Sequence, residues 1–592
     1  MSVKLTKELG HVRKLLSSDS HVQGNKYLWF LPPTHEKVVQ LSAAYNMSVS
    51  LMQTLMNRGF DTKEKIDSFL FTSKERDVFS ESLLKDAERA VDRIISAIKN
   101  NEKILIVGDY DVDGMTSTSM MMICLIRLGA QVNYFLPHRV RDGYGLSTKM
   151  VERAAANNYQ VIITVDNGIT AIEPAALAKK HGIDLIITDH HRPQDILPDA
   201  YAIVDPVQDG CSYPFKVLAG VGVAFKLLSL LYEKLEQTFP DKVYELLLLG
   251  TIADVVPLLG ENRYWVRHGL AQLGQRSSYS FQVLKKNSTL AEKAGVSSLD
   301  IAFSITPQLN ALGRLEDPRQ GVQFLIGSRR ADIERVGTIL RELNEARKSV
   351  ERKILAEIEG TIAQKKIDLD RDNIIVAAST SWPPGVIGLV ASRLMSEYGK
   401  PALLFHITKR GIAKGSGRSI SEFNLFDALK QNEDLLDRFG GHSCAVGLSL
   451  SVGNVAVLKE RLEALIASQL TPFDLLQKVK LDAHVELSDV TAKFVDDMRL
   501  LEPFGHMNRS PVFYLKGVTL VDAPVLLKDQ HVKCRIFSDG IIKPLIFFGR
   551  PEIYKLLCEC GDETFDVAVE VVENFWQGTR KIELRGVDIA FK

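Results

Sequence analysis

Between Glu102 and Asp205 short apolar runs alternate with helix-like stretches: KILIVGD, TSTSMMMICLIRLG, QVNYFLP, VIITVDNG, AALAKKHG, DLIITDHH and AYAIVDP. Apolar residues continue through each strand-like segment without a polar alternation, so each strand needs cover on both faces. That requirement points to an α/β fold, a parallel doubly wound sheet with helices on both sides. The same fold says where chemistry belongs, because in open α/β sheets ligands bind beyond the carboxyl ends of the strands. Asp109, Asp166 and Asp189 each follow directly on an apolar strand, and Asp254 follows the apolar segment LLLLGTIA.

At 592 residues the chain exceeds a single core and implies several domains. Its 45% hydrophobic and 25% charged residues are those of a globular protein. Lys+Arg and Asp+Glu both total 73, so net charge selects no polyanionic partner, although a local basic groove remains compatible with it. The six cysteines have neither disulfide-framework nor zinc-knuckle spacing and read as reduced thiols. Without a signal-like start or a bilayer-length apolar run, the expected location is cytoplasmic, with no membrane partner.

Past Leu312, RRADIERVGTILRELNEARKSVERKILAEIEGTI has no proline and many i,i+4 charge pairs, which predicts a long, partly exposed connecting helix. A second α/β region follows, with NIIVAAS and PALLFHI as strands around the helix GVIGLVASRLMSEYG. Near the end, VFYLKGVTLV, VKCRIFS, IIKPLIFFG, FDVAVEVV and KIELRGVDI predict a small β-barrel of the OB type. The expected division is an N-terminal helical segment over 1–75, a catalytic domain over 76–285, a helical region with the connector over 286–365, a second α/β domain over 366–468 and the barrel over 469–592.

Asp109, Asp111 and Asp113 alternate in DYDVDG, and carboxylates this close call for a cation between them. D-x-D-x-D-G also opens a calcium-binding loop, but the position needing Glu holds Met120, and the preceding segment is a strand. TDHH adds His190 and His191 beside Asp189. In an extended segment these two side chains point opposite ways, so that one faces a metal and the other a substrate phosphate. Carboxylates mixed with imidazole suit Mn²⁺ or Mg²⁺, and a pair of such ions performs hydrolytic phosphoryl chemistry. No GxxxxGKS/T loop occurs, and GVGVAF at Gly220 reads as tight helix packing.

DYDVDG, VDNG, TDHH and GTIADVVPL, in that order, resemble the signatures of the DHH phosphoesterase superfamily. HRVRDGYGLS, LAGVGVAFK, PQLNALGRL, GVIGLVASRL, KGSGRS and GGHSCAVGLSL are similar to its RecJ family of bacterial single-strand-specific exonucleases. The resemblance implies a DHH domain, a DHH-associated domain and an OB-fold, with 5′→3′ removal of mononucleotides from single-stranded DNA in recombination and repair. It also implies that Asp109, Asp111, Asp113, Asp166, His190 and Asp254 are metal ligands for two Mn²⁺ or Mg²⁺ ions, with Asp166 bridging. His191 would face the scissile phosphate or orient the ligands, and Asp109 or Asp189 would stand behind them.

In the second lobe KGSGRS is expected as a glycine-rich turn whose Ser416, Arg418 and Ser419 clamp the 5′ phosphate, with His442 near the scissile bond. Arg139, Asn310 and Arg314 are further phosphate contacts in this reading. For the barrel, stacking of bases on Phe513, Tyr514, Phe547 or Trp576 competes with a core role. The implied partners are single-stranded DNA with a free 5′ end, a single-strand-binding protein and an unwinding helicase, the chain itself being monomeric. Alternatives are a phosphodiesterase for short oligoribonucleotides or cyclic dinucleotides, disfavoured by the added barrel, and a non-catalytic replication scaffold, disfavoured by the intact acidic motifs.

Overall fold

A computed structural model describes residues 20–138, 142–576 and 579–591. The chain divides into two compact units, one comprising Thr62–Arg347 with Leu501–Arg509, the other the segment up to Asp61 with Lys348–Leu500 and Ser510–Lys592.

The first unit is built on a five-stranded sheet, all parallel, in the order Gln131–Phe135, Lys103–Val107, Val161–Val165, Asp184–Thr188, Ala202–Val204. Its central strand Val161–Val165 is buried at every residue, which is why its sequence shows no polar alternation. One face packs against Ala87–Lys99, Val112–Arg127 and Gly220–Lys234, whose apolar residues share a single large core. The other face is covered by Thr148–Ala156 and Ile172–Lys180 over a smaller core. The strand order reverses beside Lys103–Val107, so the loops leaving Val107 and Val165 flank the crevice where such sheets bind ligands.

The expected connector is a helix of 34 residues, Arg330–Ala363, which leads along the chain from the first unit into the second. There a five-stranded sheet runs Arg438–His442, Ala445–Ser451, Ile412–Arg418, Ala402–Ile407, Ile375–Ser379, with only the last pair parallel. One face forms a core with Leu425–Lys430 and Val455–Gln469.

The C-terminal strands close a ring. Phe513–Leu520 pairs with Phe565–Trp576 and His531–Ser538, while Ile541–Phe547 pairs with His531–Ser538 and, in parallel, with Thr579–Phe591. With Glu552–Cys560 between the third and fourth strands, this is the OB barrel that the strand pattern predicts.

The segment read as helical at the N-terminus also contains two strands, His21–Gln23 and Leu28–Phe30, which pair with each other, the second also pairing with Lys478–Lys480. They are anchored at buried Asp588, which accepts the amides of Lys26 and Tyr27 and the indole N–H of Trp29. Three-residue strands whose partner lies so far along the chain leave no local periodicity to read. Among the described residues no helix is long and apolar enough to cross a membrane.

Candidate active site

The turn after Lys103–Val107 folds back so closely that a Cβ on Gly114 would lie 2.5 Å from the Asp109 amide nitrogen. Asp111 caps the helix Val112–Arg127, its Oδ1 accepting the Gly114 N–H at 3.1 Å. One residue into that helix Asp113 is buried, and its two oxygens accept the N–H groups of Gly220 (2.7 Å) and Val221 (2.8 Å). GVGVAF therefore opens a helix whose positive end holds a carboxylate, a role that helix packing alone did not foretell.

Asp166 directly follows Val161–Val165 with φ +61°, a left-handed conformation uncommon outside glycine and associated with functional sites. Asn167 ties this turn to both strands by donating to Val107 O (3.0 Å) and Val165 O (2.9 Å). The Tyr144 hydroxyl donates to Asp166 O at 3.1 Å. Asp254 ends the helix Lys242–Ala253, where the dipole disfavours a carboxylate, and its buried Oδ2 has no hydrogen-bond partner among the described residues.

Asp189 faces the other way. Oδ2 accepts the Ile169 N–H at 2.9 Å, while Oδ1 accepts the amides of His190 and His191 and meets His191 Nδ1 at 2.7 Å. The histidines do not diverge as an extended chain requires, because the strand ends at Thr188 and the chain wraps around Asp189. Their rings lie 4.4 Å apart, and His190 Nε2 comes within 3.1 Å of Asp166 Oδ1 and 3.6 Å of Asp254 Oδ2.

Three donor groups result, each with ligand atoms within 4.8 Å of one another: Asp109, Asp111, Asp166; Asp113, His190, Asp254; and Asp166, His190, His191. Burial, then the neighbouring Asp111, pushes the Asp113 carboxyl up to about 7. Burial and the charges of Asp113 and Asp111 raise Asp166 and Asp254 well above the carboxylate range. Burial and the neighbouring His191 bring His190 down to about 4, leaving a neutral imidazole with a lone pair. Burial opposes a charged His191, yet the Asp189 carboxylate outweighs it and raises the group to about 9. Hard oxygens that destabilise one another, a neutral imidazole and a buried Asp254 Oδ2 without a hydrogen bond among the described residues fit divalent cations of the Mn²⁺ or Mg²⁺ kind.

A pocket of about 320 Å³ opens over this cluster, lined also by Tyr110, Tyr144, Asn310 and Arg314. Asn310 and Arg314 share a face of the helix Thr306–Leu315, which sits on the aspartate loop because Gly313 has no side chain: a Cβ there would lie 2.3 Å from Tyr110 O. Tyr144 was not singled out from the sequence; its place in HRVRDGYGLS was the available signal. Arg139 lies outside the described residues.

The remaining candidates belong to the other unit. KGSGRS is not a turn: Lys414–Arg418 lie in the strand Ile412–Arg418. Gly415 and Gly417 face the core, where a Cβ would collide with Phe405 and Leu448 or with Val446 and Leu425. Ser416 and Arg418 share the opposite face, the guanidinium Nη1 donating to Ser416 Oγ at 3.2 Å. Ser419 does not join them, since it is buried with its hydroxyl on Phe423 O at 2.8 Å. His442 ends the strand Arg438–His442 and is exposed. In the barrel Phe513, Tyr514 and Phe547 are buried and so are core residues, whereas Phe548, beside His531 and Arg585, is exposed.

Comparison with known proteins gives three family matches: the DHH family, N-terminal domain, over residues 103–251; the DHHA1 domain over 371–468; and the RecJ OB domain over 481–588. The chain is 36% identical over 560 residues to the single-stranded-DNA-specific exonuclease RecJ of Bacillus subtilis (strain 168), covering 94% of this chain and 70% of that protein. Crystal structures of RecJ from Thermus thermophilus are similar in fold. The complex with Mn²⁺ gives a TM-score of 0.80 at 27% identity, covering 96% of this chain and 80% of that one. The complex with Mg²⁺ gives 0.73 at 26% identity, covering 96% and 78%.

Proposed function

The chain belongs to the RecJ family of single-stranded-DNA-specific exonucleases, and from that premise we propose that it hydrolyses single-stranded DNA from a free 5′ end to 5′-mononucleotides, using two Mn²⁺ or Mg²⁺ ions. The observation that carries this reading is the convergence of three donor groups on Asp166 and His190, in a pocket with room for a phosphodiester.

Asp109, Asp111, Asp113, Asp166, His190 and Asp254 would hold the ions, with Asp166 shared between donor groups. Bound there, the ions supply an acidified water and neutralise charge on the phosphodiester oxygens. The chain's own residues do the positioning. The backbone amides at Gly220 and Val221 fix Asp113, and the ties from Asn167 and Tyr144 keep Asp166 in its left-handed turn. Asp189 orients His191 and keeps it protonated, so that it presents a positive group to a phosphate oxygen. Asn310 and Arg314 offer an amide and a guanidinium from the pocket wall.

Ser416 and Arg418 form the candidate clamp for the 5′ phosphate, His442 adds an exposed imidazole, and Ser419 supports the strand end. We retain the domain division given above as part of this reading. A role in recombination and repair, a cytoplasmic location, a monomeric state, and cooperation with a single-strand-binding protein and a helicase are further parts of it. The small-substrate alternative has against it the closed OB barrel, which a dinucleotide does not need.

The test supplies Mn²⁺ and compares 5′-phosphorylated single-stranded DNA, duplex, RNA and a dinucleotide, labelled at either end. Early mononucleotide release from the 5′-labelled single strand is the expected outcome. Early release from the 3′ end, or activity confined to the dinucleotide, contradicts it.

A further inference from the structure

The sheet that carries Ser416 and Arg418 continues past them into a second basic groove. In the antiparallel register Arg418, Ala445 and His442 form one row across three strands. Ser416, Gly447 and Gly440 form the next, and Lys414, Ser449 and Arg438 the one after. Alternation along the strands puts all three rows on one face, since Ala413, Val446, Leu448 and Leu450 fill the core on the other. The helix Pro384–Tyr398 packs on Ala402–Ile407 and Ile412–Arg418 but leaves Lys414, Gly447, Gly440 and Arg438 exposed. A groove of about 750 Å³ runs over this surface, lined by Arg410, Lys414, Asp437, Arg438, Gly447 and Ser449 among others.

Two features of the groove have no cause inside the fold. Gly440 and Gly447 are cross-strand partners, neither has a left-handed backbone, and a Cβ on either would meet no atom within 4 Å. Glycine inside a strand is destabilising relative to alanine, so a bare floor that packing does not require suits a ligand approaching the backbone from outside. Across it, Arg410, Lys414 and Arg438 form no ion pair or side-chain hydrogen bond among the described residues, and they share the lining with one carboxylate, Asp437.

We propose that Lys414, Ser449 and Arg438, with Arg410, form a second phosphate-binding subsite, one strand rung beyond Ser416. Two residues along a strand separate the sites by about 6.8 Å. Cations from the two strands that flank Ala445–Ser451, with the Ser449 hydroxyl between them, suit the oxygens of a phosphate ester. That ester comes either from a diester of a DNA strand lying along the sheet or from a released 5′-mononucleotide. The subsite rests on the proposed function only in taking its ligand from nucleic acid.

The test uses the full chain in EDTA, so that no hydrolysis is involved. Wild type, Lys414→Ala/Arg438→Ala and Gly447→Val are titrated with labelled, 5′-phosphorylated oligo(dT) across a salt series, and separately with dTMP. Gly447→Val fills the groove floor at a position where a Cβ meets no atom within 4 Å, and keeps the test independent of the charge removal. If a DNA strand occupies the subsite, the double variant loses two phosphate contacts and the log–log salt slope falls by about 1.4, while Gly447→Val weakens oligo(dT) binding. If a nucleotide occupies it, the salt slope stays and dTMP affinity drops several-fold in both variants. Wild-type salt slope and wild-type affinities for both ligands in both variants would overturn the subsite. Loss of nuclease activity on every DNA substrate by the wild type would instead overturn the proposed function and leave this binding result standing.

Discussion

Asp113 and Asp189 are both buried carboxylates beside the same pocket, and their hydrogen bonds separate what they do. Asp189 accepts three backbone amides and the His191 ring, so it shapes the turn and the imidazole. Asp113 accepts one amide on each oxygen and still offers a ligand atom within 4.8 Å of those of His190 and Asp254. Asp189→Asn should therefore lower kcat and Mn²⁺ affinity by roughly 10- to 100-fold, as losses behind a metal site do, whereas Asp111→Ala should abolish hydrolysis with strand binding retained. Steady-state rates and Mn²⁺ titrations separate the two, and wild-type values for Asp189→Asn would remove its orienting role. For Arg418→Ala the expected outcome is loss of the preference for a 5′-phosphorylated over a 5′-hydroxyl strand, read from relative kcat/KM; an unchanged preference contradicts the clamp.

At the scale of elements, the parallel sheet and its aspartates were legible because a strand buried on both faces leaves an unbroken apolar run, and a ligand edge collects polar residues at its end. The OB strands and the connecting helix were legible for similar periodic reasons. KGSGRS was misread because glycines usually mark turns, whereas Gly415 and Gly417 are there to let a strand lie against Phe405 and Val446. The grip of Gly220–Lys234 on Asp113 joins residues 107 apart in sequence and leaves no local pattern. Barrel aromatics were ambiguous until burial was known. Phe547→Ala should cost about 3–5 kcal/mol of barrel stability, while Phe548→Ala, at an exposed neighbour, should leave it nearly unchanged; urea unfolding of the two variants checks this, and equal losses would contradict the core assignment.

For the whole molecule, the proposed function assigns two chemistries: an acidic site for cations in one unit and basic faces for DNA in the other. Removing divalent ions with EDTA should stop hydrolysis and leave strand binding largely intact, and adding Mn²⁺ or Mg²⁺ should restore the rate. Persistent nucleotide release in EDTA would contradict an ion-dependent site. The neutral balance of 73 basic and 73 acidic residues hides this division, because the pocket concentrates carboxylates while Lys414, Arg418 and Arg438 lie on one face of another sheet. The most direct measurement counts Mn²⁺ bound per chain while following mononucleotide release from 5′-labelled single-stranded DNA, for wild type and Asp166→Ala. Two ions and processed strands are expected for wild type, with fewer ions, no release and retained strand binding for Asp166→Ala. Equal turnover by the two proteins would contradict a metal-dependent site centred on Asp166.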